Sequence, residues 1–433
     1  MNSVPEFLQF VSQAPTAFHA VSKTAEQLKL AGFVYLDEMA NWNLAPGKYY
    51  TVKNGSALIA FIVPDSPLTH FQIISSHADS PMLKLKPLPE SPACNCYLRL
   101  NPEVYGGMIM STWLDRPLSI AGRVIVKEKN RLSSRLLDLH DPCVLIPNMP
   151  IHFNRDINDG FKYNPQVDLL PLFGDAQDKG TFASVIAQSL QLEAEQIISF
   201  DLFLYNTMPG TVWGTHHQFF SSPRIDDLEC AYASLEALLT VGDCTPSGFV
   251  PVLALFDNEE VGSQSKQGAD STFLSDTLSR IHSAVPSDRH FPAAIASSFM
   301  ISADNAHAIH PNHPEKYDEQ NRVYMNRGIV IKHSANQKYT TDAISSAAFS
   351  EICRHANIPT QHFANRSDIR GGSTLGNIAN THVSMNTVDI GLAQLAMHSS
   401  YETAGCMDLP YMIDAMTAFY KSPLEISSSA IVL

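Results

Sequence analysis

The stretch Asp257-Asn-Glu-Glu-Val-Gly-Ser263 sets carboxylates and a turn at the end of an unbroken apolar run, Phe249-Val-Pro-Val-Leu-Ala-Leu-Phe256. Carboxylates bind divalent cations and move protons, and adjacent ones on extended backbone face opposite ways. Glu259 and Glu260 are therefore able to serve a water on one side and a metal on the other. Further residues of suitable type fall at the ends of apolar elements. His77 and Asp79 follow Phe71–Ser75, Asp226 opens a helix, Asp304 follows 298–302, and His398 lies shortly past Val383–Ile390. Two imidazoles and three carboxylates suit two Zn²⁺-class cations with one carboxylate bridging. Such a set leaves one positive charge, which a bridging hydroxide neutralises. Two ions about 3.5–4 Å apart lower the pKa of that water and polarise a carbonyl. One more carboxylate, off the metals, is then needed to move the proton. Taken singly, each residue has a plainer use: a packed histidine, a helix N-cap at Asp226, a turn at Asp304, a solvated acidic loop at 257–260. Their joint placement carries the reading.

The elements that must position these residues follow from the apolar pattern. Phe249–Phe256 lacks alternation and reads as a strand buried on both faces, with Pro251 at its start or on an edge. Strands are expected at Tyr49–Val52, Ala57–Val63, Phe71–Ser75, 298–302, 328–332 and 383–390. Helices are expected from Thr16, with Gly32 as C-cap, from Asp226 with Leu228, Tyr232, Leu235 and Leu239 buried, and at Ala343–Ala356. Strands alternating with helices predict an α/β fold with a mostly parallel, helix-covered sheet, whose strand ends gather the carboxylates along one edge. Between these parts, Lys86-Pro-Leu-Pro-Glu-Ser-Pro92 marks a boundary. From there the chain is strand-like and turn-rich, at Tyr97–Leu100, Leu118–Val126 and Ile198–Tyr205. The expected division is residues 1–88 and 219–433 for the catalytic domain and 89–218 for an inserted, mainly β domain.

Composition bounds the function. The chain has 433 residues, 45% hydrophobic and 17% charged, enough for two or three domains with a large core. A net charge of −14 argues against nucleic acid or an anionic membrane as partner. No apolar run is long enough to span a bilayer. Met1-Asn-Ser-Val-Pro-Glu lacks a signal-peptide pattern, so a cytoplasmic location is expected. The seven cysteines are scattered, and Cys94-Asn-Cys96 has no second pair to complete a metal site; reduced, structural thiols are expected.

Several stretches together resemble the aspartyl aminopeptidase family, dinuclear zinc metallopeptidases related to the tetrahedral aminopeptidases. They run nearly end to end: Pro15-Thr-Ala-Phe-His-Ala-Val21, the stretch from Ser76-His-Ala-Asp-Ser80 to Pro87, Pro150-Ile-His-Phe-Asn-Arg155, Ser222-Pro-Arg-Ile-Asp-Asp-Leu228, Asp257–Ser263, the stretch from Ser302-Ala-Asp-Asn-Ala-His307 to Asn312, and Gln394-Leu-Ala-Met-His-Ser399. The resemblance implies that Asp226 bridges two Zn²⁺ ions, with Co²⁺ or Mn²⁺ as other candidates. His77 and Asp304 complete one metal, Glu260 and His398 the other. Glu259 is the implied general base, Asp79 orients His77 from behind, and His307 steadies the oxyanion. Lys332 and Tyr339 match substrate-binding positions, and His152 matches a histidine that helps complete an active site across a subunit contact. A bilobal subunit with an inserted dimerisation domain, assembled as a tetrahedral homododecamer, is also implied. The expected activity is removal of N-terminal residues, acidic ones (Asp or Glu) above others, from short peptides by a metal-bound hydroxide.

Two stretches depart from the family pattern. The loop Asn365-Arg-Ser-Asp-Ile-Arg-Gly-Gly-Ser-Thr-Leu-Gly376 keeps Gly-Ser-Thr with its own preceding residues, and Ser399-Ser-Tyr-Glu402 lacks an Arg before the Glu. Both are expected to border the substrate pocket, which leaves acidic preference open against a broader one. A carboxypeptidase or deacylase of the same ancestry is the rival reading, and a non-catalytic metal-binding scaffold would have lost Glu259. Asp257 has no assigned role.

Overall fold

Phe249–Phe256 is buried along its whole length near the middle of a nine-stranded sheet. The computed structural model describes residues 3–242, 248–427 and 430–432. In spatial order the sheet runs Val34–Tyr35, Gly47–Lys53, Ala57–Val63, Phe249–Phe256, His70–His77, Phe299–Ala303, Asn386–Gly391, Ile329–His333 and Thr360–Ala364. Five of its eight pairings are parallel, and three are antiparallel. The strand carrying Pro251 is central, not an edge. Its antiparallel ladder with Ala57–Val63 begins only at Val252, so the missing N–H of Pro251 falls before that ladder starts.

The sheet is covered on both faces, which explains why its strands are apolar without alternation. One face packs under Ser3–Ser12, Ala17–Leu30, Ile225–Val241, Ala343–His355 and Asp408–Lys421, through Phe7, Leu28, Leu235, Phe349 and Phe419. The other packs under Phe273–Ala284, Phe291–Ala296 and Leu375–Ala379, through Phe273, Leu278, Ile295 and Leu375. Gly32 follows Ala17–Leu30 at φ +86°, the left-handed position that favours glycine after a helix.

A second, six-stranded antiparallel sheet has the order Arg131–Asp138, Leu118–Glu128, Ile197–Asn206, Met82–Ala93, Tyr97–Tyr105, Leu172–Asp175 and its own apolar core. Contrary to the reading of Lys86–Pro92 as a poor strand, Met82–Ala93 runs straight through the prolines, and residues 88 and 89 both lie inside it. The prolines are accommodated because the ladder with Tyr97–Tyr105 shifts register between Leu85 and Glu90. A third, small sheet joins Thr211–Trp213, Phe219–Ser222, Glu402–Gly405, Ala393–Leu395 and Ala306–His307. Nothing in the sequence pattern announced it, because its strands are two to four residues long.

His70 opens the His70–His77 strand, 7% exposed and stacked on Phe249 at 5.4 Å. Burial, with Arg289 adding to it, lowers its pKa from 6.5 to about 4. The unfolded chain thus takes up a proton below pH 6.5 that the folded chain refuses until about pH 4. Stability from neutral His70 is full above pH 6.5 and is lost progressively as the pH falls toward 4. The urea midpoint is therefore expected to drop between pH 7 and pH 5, and His70→Gln should flatten that drop; an unchanged slope in the variant would dismiss His70 as its source.

Candidate metal centre

Four parallel strands deliver the site. Phe256 is in register with His77, and Ala303 with Ile390, so His77, the Asp257–Ser263 turn and Asp304 emerge at one sheet edge. Asp226 arrives from the helix side. Although Ile225–Val241 is helical overall, Asp226 (φ −80°, ψ 111°) and Asp227 (φ −117°, ψ 24°) are not, so the helix proper starts beyond them. The peptide between the two is cis. His398 sits in the loop between Ala393–Leu395 and Glu402–Gly405 at φ +67°.

The geometry gathers two sets of donors that share one residue. His77, Asp226, Asp227 and Asp304 place one ligand atom each within 4.8 Å of one another, and Asp226, Glu260 and His398 do the same. His77 Nε2 is 3.5 Å from Asp226 Oδ1, and His398 Nε2 is 3.4 Å from Asp226 Oδ2 and 3.3 Å from Glu260 Oε2. These spacings are longer than hydrogen bonds. They match the edge of a tetrahedron of about 3.3 Å around a cation bonded to N and O at about 2.0–2.1 Å. Asp226 Oδ1, Asp227 Oδ1 and Glu260 Oε1 are buried without a hydrogen-bond partner. Orphaned buried carboxylate oxygens are costly unless a cation is theirs to bind. The donors therefore fit divalent metal binding, with Asp226 common to both groups.

Charge tells the same story. Burial pushes Glu259 up to about 8, with His77 opposing and Asp304, Asp79 and Asp226 adding to it. Glu260 and Asp227 are raised well above the carboxylate range, first by burial and then by neighbouring carboxylates. Burial works against the charge of Asp226 too, yet contacts from His398 and His77 hold it below the usual range. Burial disfavours the protonated imidazole at His398, but Asp226 and Glu260 outweigh it and lift His398 to about 10. Burial opposes the charge of His77 as well, but Asp227, Asp226 and Asp79 outweigh it and raise His77 well above the imidazole range, so the carboxylates favour positive charge at both positions.

The supporting contacts are specific. Asp79 accepts the N–H groups of Glu259 and Glu260, both at 3.1 Å, and its own carbonyl faces His77 Nδ1 at 3.1 Å. Its carboxylate Oδ1 lies 3.4 Å from the same Nδ1. Asp79 therefore holds the Glu259–Glu260 turn as well as His77, a wider task than the sequence reading allotted it. Glu259 and Glu260 are not on extended backbone as expected. They form a single 3₁₀ turn, Glu259–Val261, between Asn258 at φ +62° and Gly262 at φ +94°.

Lys332 is 2% exposed; its ammonium donates to the Asn305 carbonyl at 2.9 Å and lies 3.7 Å from Asp304 Oδ1. Tyr339 is buried with its ring 5.4 Å from Lys332 Nζ. His307 is exposed at the end of the small sheet, its ring 6.4 Å from Phe363. His152 is exposed between Ile151 and Phe153, themselves 47% and 83% exposed, and belongs to neither donor set. Asp257 is buried and pushed up to about 7, first by burial and then by Asp79, and its Oδ1 accepts the Asn258 N–H.

Sequence reasoning missed Asp227 and Glu402. Asp227 Oδ2 accepts the His77 N–H at 3.2 Å. Glu402, 2% exposed, accepts the Asp226 N–H on Oε2 at 3.0 Å and the His398 N–H on Oε1 at 2.8 Å, tying both cation sets through one carboxylate. The Asp226-Asp227 doublet was a visible signal for the first. Glu402 stood out only as the residue after an expected Arg.

The profile described as Aminopeptidase I zinc metalloprotease (M18) matches residues 10–420. A protein of Clostridium acetobutylicum named probable M18 family aminopeptidase 2 is 48% identical over 426 residues, covering 96% of this chain and 98% of its own. A Stutzerimonas stutzeri protein of the same name is 39% identical over 424 residues, covering 96% and 97%. A chain in the cryo-EM structure of the Ape4 and Nbr1 complex superposes with a TM-score of 0.94 at 34% identity, over 97% of this chain and 85% of that one. The S. cerevisiae mApe1 dodecamer gives 0.86 at 29% identity, over 96% of each chain. With the profile spanning residues 10–420 and relatives matched along almost their whole length, the chain belongs to the M18 peptidase family and is one of its metal-dependent aminopeptidases.

Proposed function

We propose that the protein is a dinuclear zinc aminopeptidase that removes N-terminal residues, acidic ones (Asp or Glu) first, from short peptides. The observation that carries the reading is one shared carboxylate, Asp226, between two donor sets, with Glu259 beside Glu260 but in neither set. His77 and Asp304 would hold one ion and Glu260 and His398 the other, with Co²⁺ and Mn²⁺ able to substitute. When bound, the pair supplies Lewis acidity for the peptide carbonyl and lowers the pKa of the attacking water. Glu259 takes the proton of that water and returns it to the leaving amine. His307, close enough to Asp226 and His398 for their charges to act on its ring, donates to the developing oxyanion. Asp79 keeps the turn bearing Glu259 in place. A scan of N-terminal residues with aminoacyl reporter substrates in defined metals tests the whole reading. Cleavage of N-acetylated but not free acidic dipeptides would overturn it in favour of a deacylase.

Lys332 and Tyr339 are our candidates for recognising an acidic side chain. On that reading Lys332→Ala raises KM for Asp and Glu substrates by about tenfold while leaving neutral ones nearly unchanged, the loss of one charge-assisted contact. A second reading has its own support: the ammonium is already engaged with Asn305 and Asp304. If it serves Asp304 instead, the variant loses metal affinity and all substrates slow alike. Metal titration beside the two KM values separates these outcomes.

The assembly we propose is a tetrahedral homododecamer built from dimers, with the six-stranded region as the dimerisation unit and His152 completing a neighbour's site. The exposed Met149, Ile151 and Phe153 support a contact there. Light scattering on the purified protein tests it; a stable monomer would end the proposal. A cytoplasmic setting is part of the same proposal, and the free state of all six described cysteines fits a reducing compartment.

A further inference from the structure

The six-stranded sheet reaches into the metal centre. Its Tyr97–Tyr105 strand ends with the Tyr105 hydroxyl donating to Asp79 Oδ2 at 2.7 Å and accepting from Asn258 Nδ2 at 2.8 Å. The ring is held edge-on by Phe203 of the same sheet, centroids 5.7 Å apart. Asp79 in turn accepts the Glu259 N–H on Oδ1 and the Glu260 N–H on Oδ2. Asn258, on the other side of the hydroxyl, uses its Oδ1 to accept from Ser265 and Gln267 at 2.8 Å each. The chain then passes close under the turn. Gly106, at φ +75°, lies where an added Cβ would stand 3.1 Å from Glu260 Cβ, and the Gly107 carbonyl faces His398 Nδ1 at 2.9 Å.

We propose that Tyr105 is a positioning residue for the catalytic turn, acting through Asp79 on Glu259, Glu260 and His77. The proposal rests on Glu259 being the base, as argued above. The two backbone N–H groups grip the Asp79 carboxylate from the side of the turn, one on each oxygen, with Oδ1 also 3.4 Å from His77 Nδ1. The hydroxyl is a third donor that fixes its plane, and it also occupies the Asn258 amide that closes the turn. Because Tyr105 is borne by the other sheet, the placement of the base depends on how that sheet is seated.

The test is Tyr105→Phe in the full-length, zinc-loaded protein, with kcat, KM and bound metal measured. Partners that orient metal ligands are worth about 10–100-fold, so kcat should fall by about that factor while KM changes much less. Asp79→Asn and the double variant complete a cycle. If Tyr105 acts through Asp79, the double variant is slower than Asp79→Asn by no more than about twofold. A Tyr105→Phe kcat within about twofold of wild type, or losses that multiply in the double variant, would each overturn the proposal. Glu259→Gln run alongside separates the two levels. An active Glu259→Gln removes the base assignment itself, whereas an inactive one beside a normal Tyr105→Phe removes only the role of Tyr105.

Discussion

Glu259→Gln is expected to keep its full complement of metal and to lose turnover by about 10²–10⁴-fold, the range for removing a positioned general base. Glu259 belongs to neither donor set, whereas its neighbour Glu260 belongs to one, so the substitution spares every ligand atom. The amide of Gln matches the carboxylate in shape and still hydrogen-bonds a water, but it cannot accept the water's proton. The backbone of residue 259 stays anchored, because its N–H donates to Asp79 whatever the side chain. Burial and the carboxylates of Asp304, Asp79 and Asp226 already favour a neutral side chain at 259, so a neutral amide of the same shape adds no repulsion. The metal-free variant should therefore melt no lower than the metal-free wild type. Metal analysis, kcat on an aminoacyl reporter and a thermal melt give the three readings. Retention of more than about a tenth of wild-type kcat with full metal would remove Glu259 from the role of base.

How much of this was legible in the residues can be judged from particular ones. Phe249–Phe256 was readable because eight apolar residues in a row have one physical use, burial on both faces, and the strand is where that reasoning placed it. His77, Asp226, Glu260, Asp304 and His398 were readable because imidazoles and carboxylates at element ends have few joint uses, and these five do meet around Asp226. The backbone under Glu259 and Glu260 was not. A 3₁₀ turn entered through a left-handed Asn258 leaves no periodic pattern, so extended geometry was the natural but mistaken expectation. Nor were Tyr105 and Glu402 readable. Tyr105 joins Asp79 to Asn258, and Glu402 joins Asp226 to His398, in each case linking stretches more than a hundred residues apart; a single Tyr or Glu in a turn-rich stretch has many ordinary uses. The prolines of 86–92 misled for a related reason. A register shift in the ladder absorbs them, and register is a property of two strands, not of one.

Asp226→Ala carries the second large effect, and here metal and activity should be lost together. Asp226 is the one residue present in both donor sets, so its removal takes a ligand from each at once. His77 Nε2 and His398 Nε2 would then lose the carboxylate that lies 3.5 and 3.4 Å from them, leaving His398 with Glu260 alone. Substitution of Lys332 or Glu402 could at most loosen a ligand; this change deletes the point the two sets share. In the wild type, metal binding stabilises the folded state by mass action, about 2.7 kcal/mol at a free concentration one hundred times Kd. Chelator-stripped wild type should accordingly gain Tm when zinc is returned, and Asp226→Ala should gain little. Asp226→Asn separates charge from shape, since it keeps one carbonyl oxygen and the volume but not the second anionic oxygen. It is expected to recover some metal affinity at one set and almost none of the activity, because the second set still lacks its donor. A variant at Asp226 that stays active and binds two metals per chain would refute the shared ligand, and with it the dinuclear arrangement inferred from these distances.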